Sequence, residues 1–247
     1  MKSIYNEQGV LSSKETLRFK FSLITSKIGE NKNKLLHRLG LKSYFGIDFE
    51  NISIPDSKIV RLAIEEANDL YNFSLLKHCY RTYFFSAGIA LSQNLKIDKE
   101  FLCTTSILHD IGLTDKHNHA CSKQCFAVHS GSFTKEFALN NGVDKIRAND
   151  MKTSIDMHLN PYVNRKKFGN EAYVLSKGAA MDVIGAHSFQ LSPGFIHDVH
   201  KKYPRVNFKE NILKTMTLLN HKEKTRADTL FKMGFQKLAS SNDLDLL

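Results

Sequence analysis

The stretch FSLLKHCYRTYFFSAGIAL, residues 73–91, decides the class of fold. Its Leu76, Tyr80, Tyr83, Phe84, Ala87 and Leu91 recur at spacings of three and four, as an amphipathic helix requires. Two groups foreign to an apolar stripe stand on that helix: His78 and, three residues on and so beside it, Arg81. The residues just upstream, 56–71, repeat the same period through Ile59, Leu62, Ala63, Ala67 and Leu70. Downstream, the pattern predicts helices over 99–111, 124–140, 145–158, 171–185, 193–202 and 208–238. Pro55, Pro161, Pro193 and Pro204 all fall at boundaries between these segments. Strand-like alternation is nearly absent, so the chain reads as all-α. A helical domain spans 56–240, with its far end as a C-terminal extension of the bundle. Residues 1–55 form a polar N-terminal extension with short apolar stretches at Leu17, Phe19, Phe21, Leu23 and Ile24, and 51–57, with Pro55, read as the connector.

A chain of 247 residues, 42% hydrophobic, buries a core without staples. The net charge of +10 comes from 35 Lys and Arg against 25 Asp and Glu. These cations are scattered, which describes a solvated basic surface and not a nucleic-acid interface. Cys79, Cys103, Cys121 and Cys125 show no regular disulfide framework. The opening MKSIYNEQGV is not a signal peptide, and no apolar run reaches the roughly 18 residues of a membrane span. The expectation is a cytoplasmic protein with no membrane partner, a small-molecule substrate, and self-association left open.

The chemistry gathers around Ser106-Ile-Leu-His-Asp-Ile-Gly112. Its apolar run drives the helix into a core. Gly112 is predicted to end that helix as a left-handed cap, leaving His109 and Asp110 in the last turn. There, free carbonyls and the negative dipole end favour a cation. Asp182 lies within the apolar stretch 175–184, where a buried carboxylate is costly without a metal or a cation beside it. Asp150 and Asp156 are competing carboxylates on what reads as a surface helix. His78, His109, Asp110 and Asp182 fall on three predicted helices, and their mixed nitrogen and oxygen donors suit zinc first, with iron or manganese as alternatives. A His-Asp pair alone says nothing, since one recurs at His197-Asp198. The run His117-x-His119-x-Cys121-x3-Cys125-x3-His129 matches no common zinc finger. It reads as a loop over a pocket, bringing Lys116 and His117 towards a substrate.

The ordered set of a helical His78, then His109-Asp110, then a distant Asp182 resembles the HD superfamily of metal-dependent hydrolases. Residues 78–84, 108–113 and 126–131, together with 181–185, Tyr203-Pro-Arg205 and the basic segment 222–226, look like its cyanamide hydratase branch. The likeness spans about 56–235. It implies an HD-type helical bundle whose metal ligands are His78, His109, Asp110 and Asp182. It also implies that His129 and His158, on the helices between, either line the pocket and act with Asp110 in catalysis or hold a second metal. One departure is visible: Ala127 and His129 follow Phe126, where the branch carries acidic residues. The implied reaction is metal-assisted addition of water to a small C–N compound such as cyanamide. The alternative is hydrolysis of a nucleotide or other phosphate ester, with Arg81 and Lys116 on the phosphate oxygens. A third reading, a decayed fold serving as a binding module, sits poorly with a complete ligand set.

Overall fold

A computed structural model describes residues 8–246. The first seven residues, which hold most of the opening read above as no signal peptide, lie outside the described residues, as does position 247. The architecture is all-α. In chain order the helices are α1 (Ser13–Arg38), α2 (Lys58–Leu70), α3 (Phe73–Ser92), α4 (Lys99–Leu108), α5 (Phe126–Asn140), α6 (Lys145–Met157), α7 (Arg165–Ile184), α8 (Pro193–Lys202), α9 (Phe208–Leu218), α10 (Arg226–Lys232) and α11 (Phe235–Ser240). Short 3-10 turns link several of them. Among the described residues there is no strand beyond an isolated bridge between Val10 and Thr225, and no helix is long and apolar enough to cross a membrane.

The starts are set locally. Asn72 caps α3 by accepting the Leu75 amide, Asp98 caps α4 through the Phe101 amide, and Pro193 opens α8 behind a Ser192 cap. The centre is α3, buried along nearly its whole length against α7 and α4. Gly178 allows the close approach of α7: a Cβ there would lie 2.1 Å from Ser86 Oγ and 2.6 Å from the Thr82 carbonyl. The α5–α6 pair covers one side, and the main apolar core draws on residues from Ile52 to Leu244, with smaller clusters around Met151 and Met157 beside it. All four cysteines are free and buried, packed as small hydrophobes.

Two expectations are corrected, and one segment left without assigned secondary structure proves half helical. First, the helix over 99–111 stops at Leu108, and Gly112 is not its left-handed cap. The chain instead turns through a 3-10 segment, Ile111–Leu113, and the Gly112 amide donates to Ser130 Oγ at 3.0 Å. Gly112 is there for space, since a Cβ would meet the Phe126 carbonyl at 2.7 Å. Second, the helix over 208–238 is three elements. Residues between Leu219 and Thr225 leave the helix because their backbone is used elsewhere: the Lys222 amide donates to Cys121 and the Leu11 amide to the Lys224 carbonyl. Gly234, at φ 94°, then parts α10 from α11. That segment is the polar extension, half of which is a helix of 26 residues, α1, entered through a capping box of Ser12 and Glu15.

Candidate metal centre

His78 sits in the second turn of α3 with its whole side chain buried. Its two ring nitrogens face different partners. Nδ1 lies 2.7 Å from Asp182 Oδ2, and Nε2 lies 3.2 Å from His109 Nε2 and 3.3 Å from Asp110 Oδ2. His109 and Asp110 arrive from the end of α4, where the helix gives way to the 3-10 turn, and His109 Nε2 is 3.5 Å from Asp110 Oδ2. His158, at the end of α6, brings its Nε2 to 3.7 Å from Asp110 Oδ1 and packs edge-on against His109.

Hydrogen bonding fixes the tautomers. His109 Nδ1 is 2.8 Å from the Ser106 carbonyl and His158 Nδ1 is 2.7 Å from the Ile155 carbonyl. A carbonyl only accepts, so both Nδ1 atoms carry the proton and both Nε2 atoms carry a lone pair. His78 Nδ1 likewise donates to Asp182, which leaves its Nε2 directed at His109 and Asp110. Burial pushes His109 down to about 3 and lowers His158, so both are neutral imidazoles. Burial alone would raise Asp110, but His109, His78 and His158 around it outweigh that and hold it ionised. His78 moves the other way: burial opposes its charge, and the carboxylates of Asp110 and Asp182 lift it above the ordinary histidine value. The cluster therefore calls for one positive charge among these atoms, either a proton on His78 Nε2 or a metal ion in its place. Donor atoms of His78, His109 and Asp110 lie within 4.8 Å of one another. Among the described residues they are the group so arranged that could hold a metal, and the donor set suits one. The His117–His129 run does not converge in this way.

Asp182, on α7, stands on the far side of His78. Arg81 Nε and Nη2 donate to its two oxygens at 2.7 and 2.8 Å, and Arg205 Nη1 donates at 2.6 Å. Burial would raise its pKa, yet the two guanidiniums hold it well below the usual carboxylate range. Arg81 is fully buried, and its remaining donors meet the carbonyls of Tyr203 and Pro204. Sequence reasoning set Arg81 beside His78 and offered it to phosphate oxygens; in the structure its donors are instead on Asp182 and the two carbonyls. Arg205 was noticed only within Tyr203-Pro-Arg205 and given no role. It also holds Asp245, and Asn242 donates to the Asp182 carbonyl. Phe208 went unnoticed altogether: its ring stacks on His78 at 4.9 Å, with Arg81 and Arg205 over it.

The remaining expected site residues lie apart. His129 is half-buried, 3.0 Å from His117 and 3.1 Å from Gln124 Nε2. Lys116 is exposed on the loop after the 3-10 turn. That loop and α9 border a cavity of about 610 Å³, lined by Asn72, Leu75, Asn118, Phe208, Asn211 and Lys214 among others. Phe208 is common to the cavity wall and the His78 stack. Asp156, read as a surface residue, is buried instead. It pairs with Lys152, and burial pushes it up to about 6.

Two curated proteins of Saccharomyces cerevisiae, cyanamide hydratase DDI2 and cyanamide hydratase DDI3, are similar to this chain. Each is 24% identical over 157 residues, covering 62% of this chain and 69% of the relative. No family model matches. The likeness supports a hydratase-like enzyme.

Proposed function

We propose that the protein is a metal-dependent hydratase of the HD type, adding water to a small uncharged C–N compound of the cyanamide or nitrile class. The observation that carries this reading is the convergence of the Nε2 atoms of His78 and His109, the latter bearing a lone pair, on the ionised Asp110, deep in the core. His78, His109 and Asp110 would hold the ion, zinc being the best match to two imidazoles and a carboxylate. When bound, the ion lowers the pKa of water and polarises an acceptor atom beside it.

The chain's own groups do the rest. Asp182 fixes the His78 tautomer and ring direction, as carboxylates behind metal-binding imidazoles do. In this reading it supports the ligand His78; a direct contact with the ion is the other form of the same proposal. His158, neutral and held by Ile155, points its free Nε2 at the second oxygen of Asp110. That position suits it to take a proton from the attacking water and return it to the substrate nitrogen. The water oxygen bonds to carbon, one C–N π bond is lost, and both protons of the water end on product nitrogen or oxygen.

A phosphate ester would need several free donors around its oxygens. Arg81, the cation nearest the cluster, is committed to Asp182 and to two carbonyls. That supports a neutral substrate over the phosphohydrolase alternative. The test compares kcat/KM for cyanamide and related nitriles with that for a set of nucleoside monophosphates, on protein of measured metal content. Asp110→Ala serves as the blank. Turnover of a C–N compound is expected, and metal-dependent turnover of the phosphates alone would overturn the substrate class.

A further inference from the structure

The long helix α1 is inverted with respect to the rest of the fold. Its outward residues are apolar: Leu17, Phe21, Ile24, Ile28 and Leu35 are each between 52% and 69% exposed. Its inward face is mixed: Ser22, Ser26, Glu30 and Asn33 line a cavity against the body of the protein, Leu23 and Leu36 are partly buried, and Phe19 is its one buried side chain. The apolar positions follow one another at intervals of four, three, four and seven. At about 100° per residue that spacing makes a single narrow stripe along the helix. Leu39, Leu41, Tyr44 and Phe45, all exposed, prolong the apolar surface past the helix end.

Charge identifies what would cover it. Along the helix, Arg18 and Lys32 project on one flank of the stripe and Lys20, Lys27 and Arg38 on the other, all of them exposed. The two acidic residues of α1, Glu15 and Glu30, are partly buried and off the stripe. Glu15 is tied into the capping box, and Glu30 lies 3.4 Å from His187. No acidic side chain is thus exposed on the outer face of α1. A second copy of the chain is a poor occupant, because paired α1 helices would set Lys against Lys on both flanks and each copy carries +10.

We propose that α1 lies on an anionic lipid surface, its apolar stripe in the headgroup boundary and its flanking Lys and Arg reaching up to lipid phosphates. An apolar face bordered on both sides by long cations is what such a contact needs: the stems of Lys and Arg cover apolar area while their heads stay at the charged interface. This is attachment alongside a membrane and not passage through it. It goes beyond the sequence-based expectation of no membrane partner.

The test is co-sedimentation of the full chain with vesicles of phosphatidylcholine alone and of phosphatidylcholine with phosphatidylglycerol, at low and at raised salt. Binding to the anionic vesicles is expected, at least about tenfold above the zwitterionic ones and weakened by salt. The pair Phe21→Ser with Ile28→Ser and the pair Lys20→Glu with Lys27→Glu should each lower that binding about tenfold or more. Circular dichroism and metal content of both should match the parent, since these side chains are exposed. No binding to anionic vesicles would overturn the proposal. So would unchanged binding by the serine pair, which would mean charge attraction alone, or a dimer in light scattering that the serine pair dissociates, which would make the occupant a second copy.

Discussion

Asp110 and Asp182 are both buried, both ionised, and lie on opposite sides of one imidazole, His78. Their surroundings differ in one respect. Asp182 is met by two guanidiniums within 2.8 Å, while Asp110 is met only by histidines, two of which are neutral. A buried carboxylate with resident cations has its charge balanced by the fold and serves to hold other groups in place. A buried carboxylate among imidazole lone pairs is balanced only when a proton or a metal ion joins it. In the proposed reading the same residue type is thus structural on one face of His78 and chemical on the other.

The largest expected effect breaks the Asp110 side. Asp110→Asn and His109→Ala should each reduce bound metal, measured by elemental analysis, from about one ion per chain to near none, and activity by at least about a thousandfold. Helical circular dichroism should persist. Metal retained in full by both variants would remove the ligand assignment and with it the contrast.

The Asp182 side should fail differently. Asp182→Asn leaves Arg81 and Arg205 buried with half their partner gone, a loss of about 3–5 kcal/mol in denaturant titration. In metal-stripped protein, Asp110→Asn should cost about 1 kcal/mol, the worth of an ordinary hydrogen bond. The folded pKa of Asp182 lies below its unfolded value of 3.8, so its stabilisation is complete above that value and fades as pH falls further. The gap between parent and Asp182→Asn should therefore narrow below pH 3.8 and stay constant above it. Metal affinity sharpens the point: a supporting carboxylate costs about ten- to a hundredfold when removed, whereas complete loss of the ion would mark Asp182 as a direct ligand.

These two sides were unequally legible in the sequence. The helical class followed from the spacing of Leu76, Tyr80, Tyr83, Phe84, Ala87 and Leu91, because periodicity is a local property. His78, His109 and Asp110, which the structure brings together, stood out because they are polar groups within apolar runs. The second cation on Asp182 was not found: Arg205 lies 23 residues beyond its partner on an irregular turn, and no local pattern pairs them. Gly112 was misread for a related reason. Its role depends on Phe126 and Ser130 packing above it, a tertiary contact, and not on how the preceding helix ends. The split of 208–238 likewise came from backbone groups taken up by Cys121 and Leu11. The helix α1 was hidden because an apolar stripe facing outward reads, in a Lys-rich stretch, as scattered hydrophobes.

The smallest expected effect concerns His129, which sequence reasoning set beside His158 as a proton carrier. Both follow Asp110 in the chain, but their surroundings are as unlike as those of the two carboxylates. His158 is buried, with its free Nε2 towards Asp110. His129 is half-buried, and both of its nitrogens are engaged. The Gln124 amide donates to Nδ1, so Nε2 carries the proton and donates to His117 Nδ1. Burial and the neighbouring His117 lower its pKa, so it is a neutral link between two loop side chains. Removing it should loosen the loop that carries Asn118 to the cavity wall, which acts on substrate binding more than on the chemical step. His129→Ala should therefore raise KM, with kcat/KM down by less than about tenfold, whereas His158→Gln should cost about a hundredfold or more in kcat. Steady-state kinetics on metal-loaded protein separate the two. A fall in kcat for His129→Ala as large as that for His158→Gln would mean that the loop closes over the centre and that the proton path runs through His117 and His129 as well.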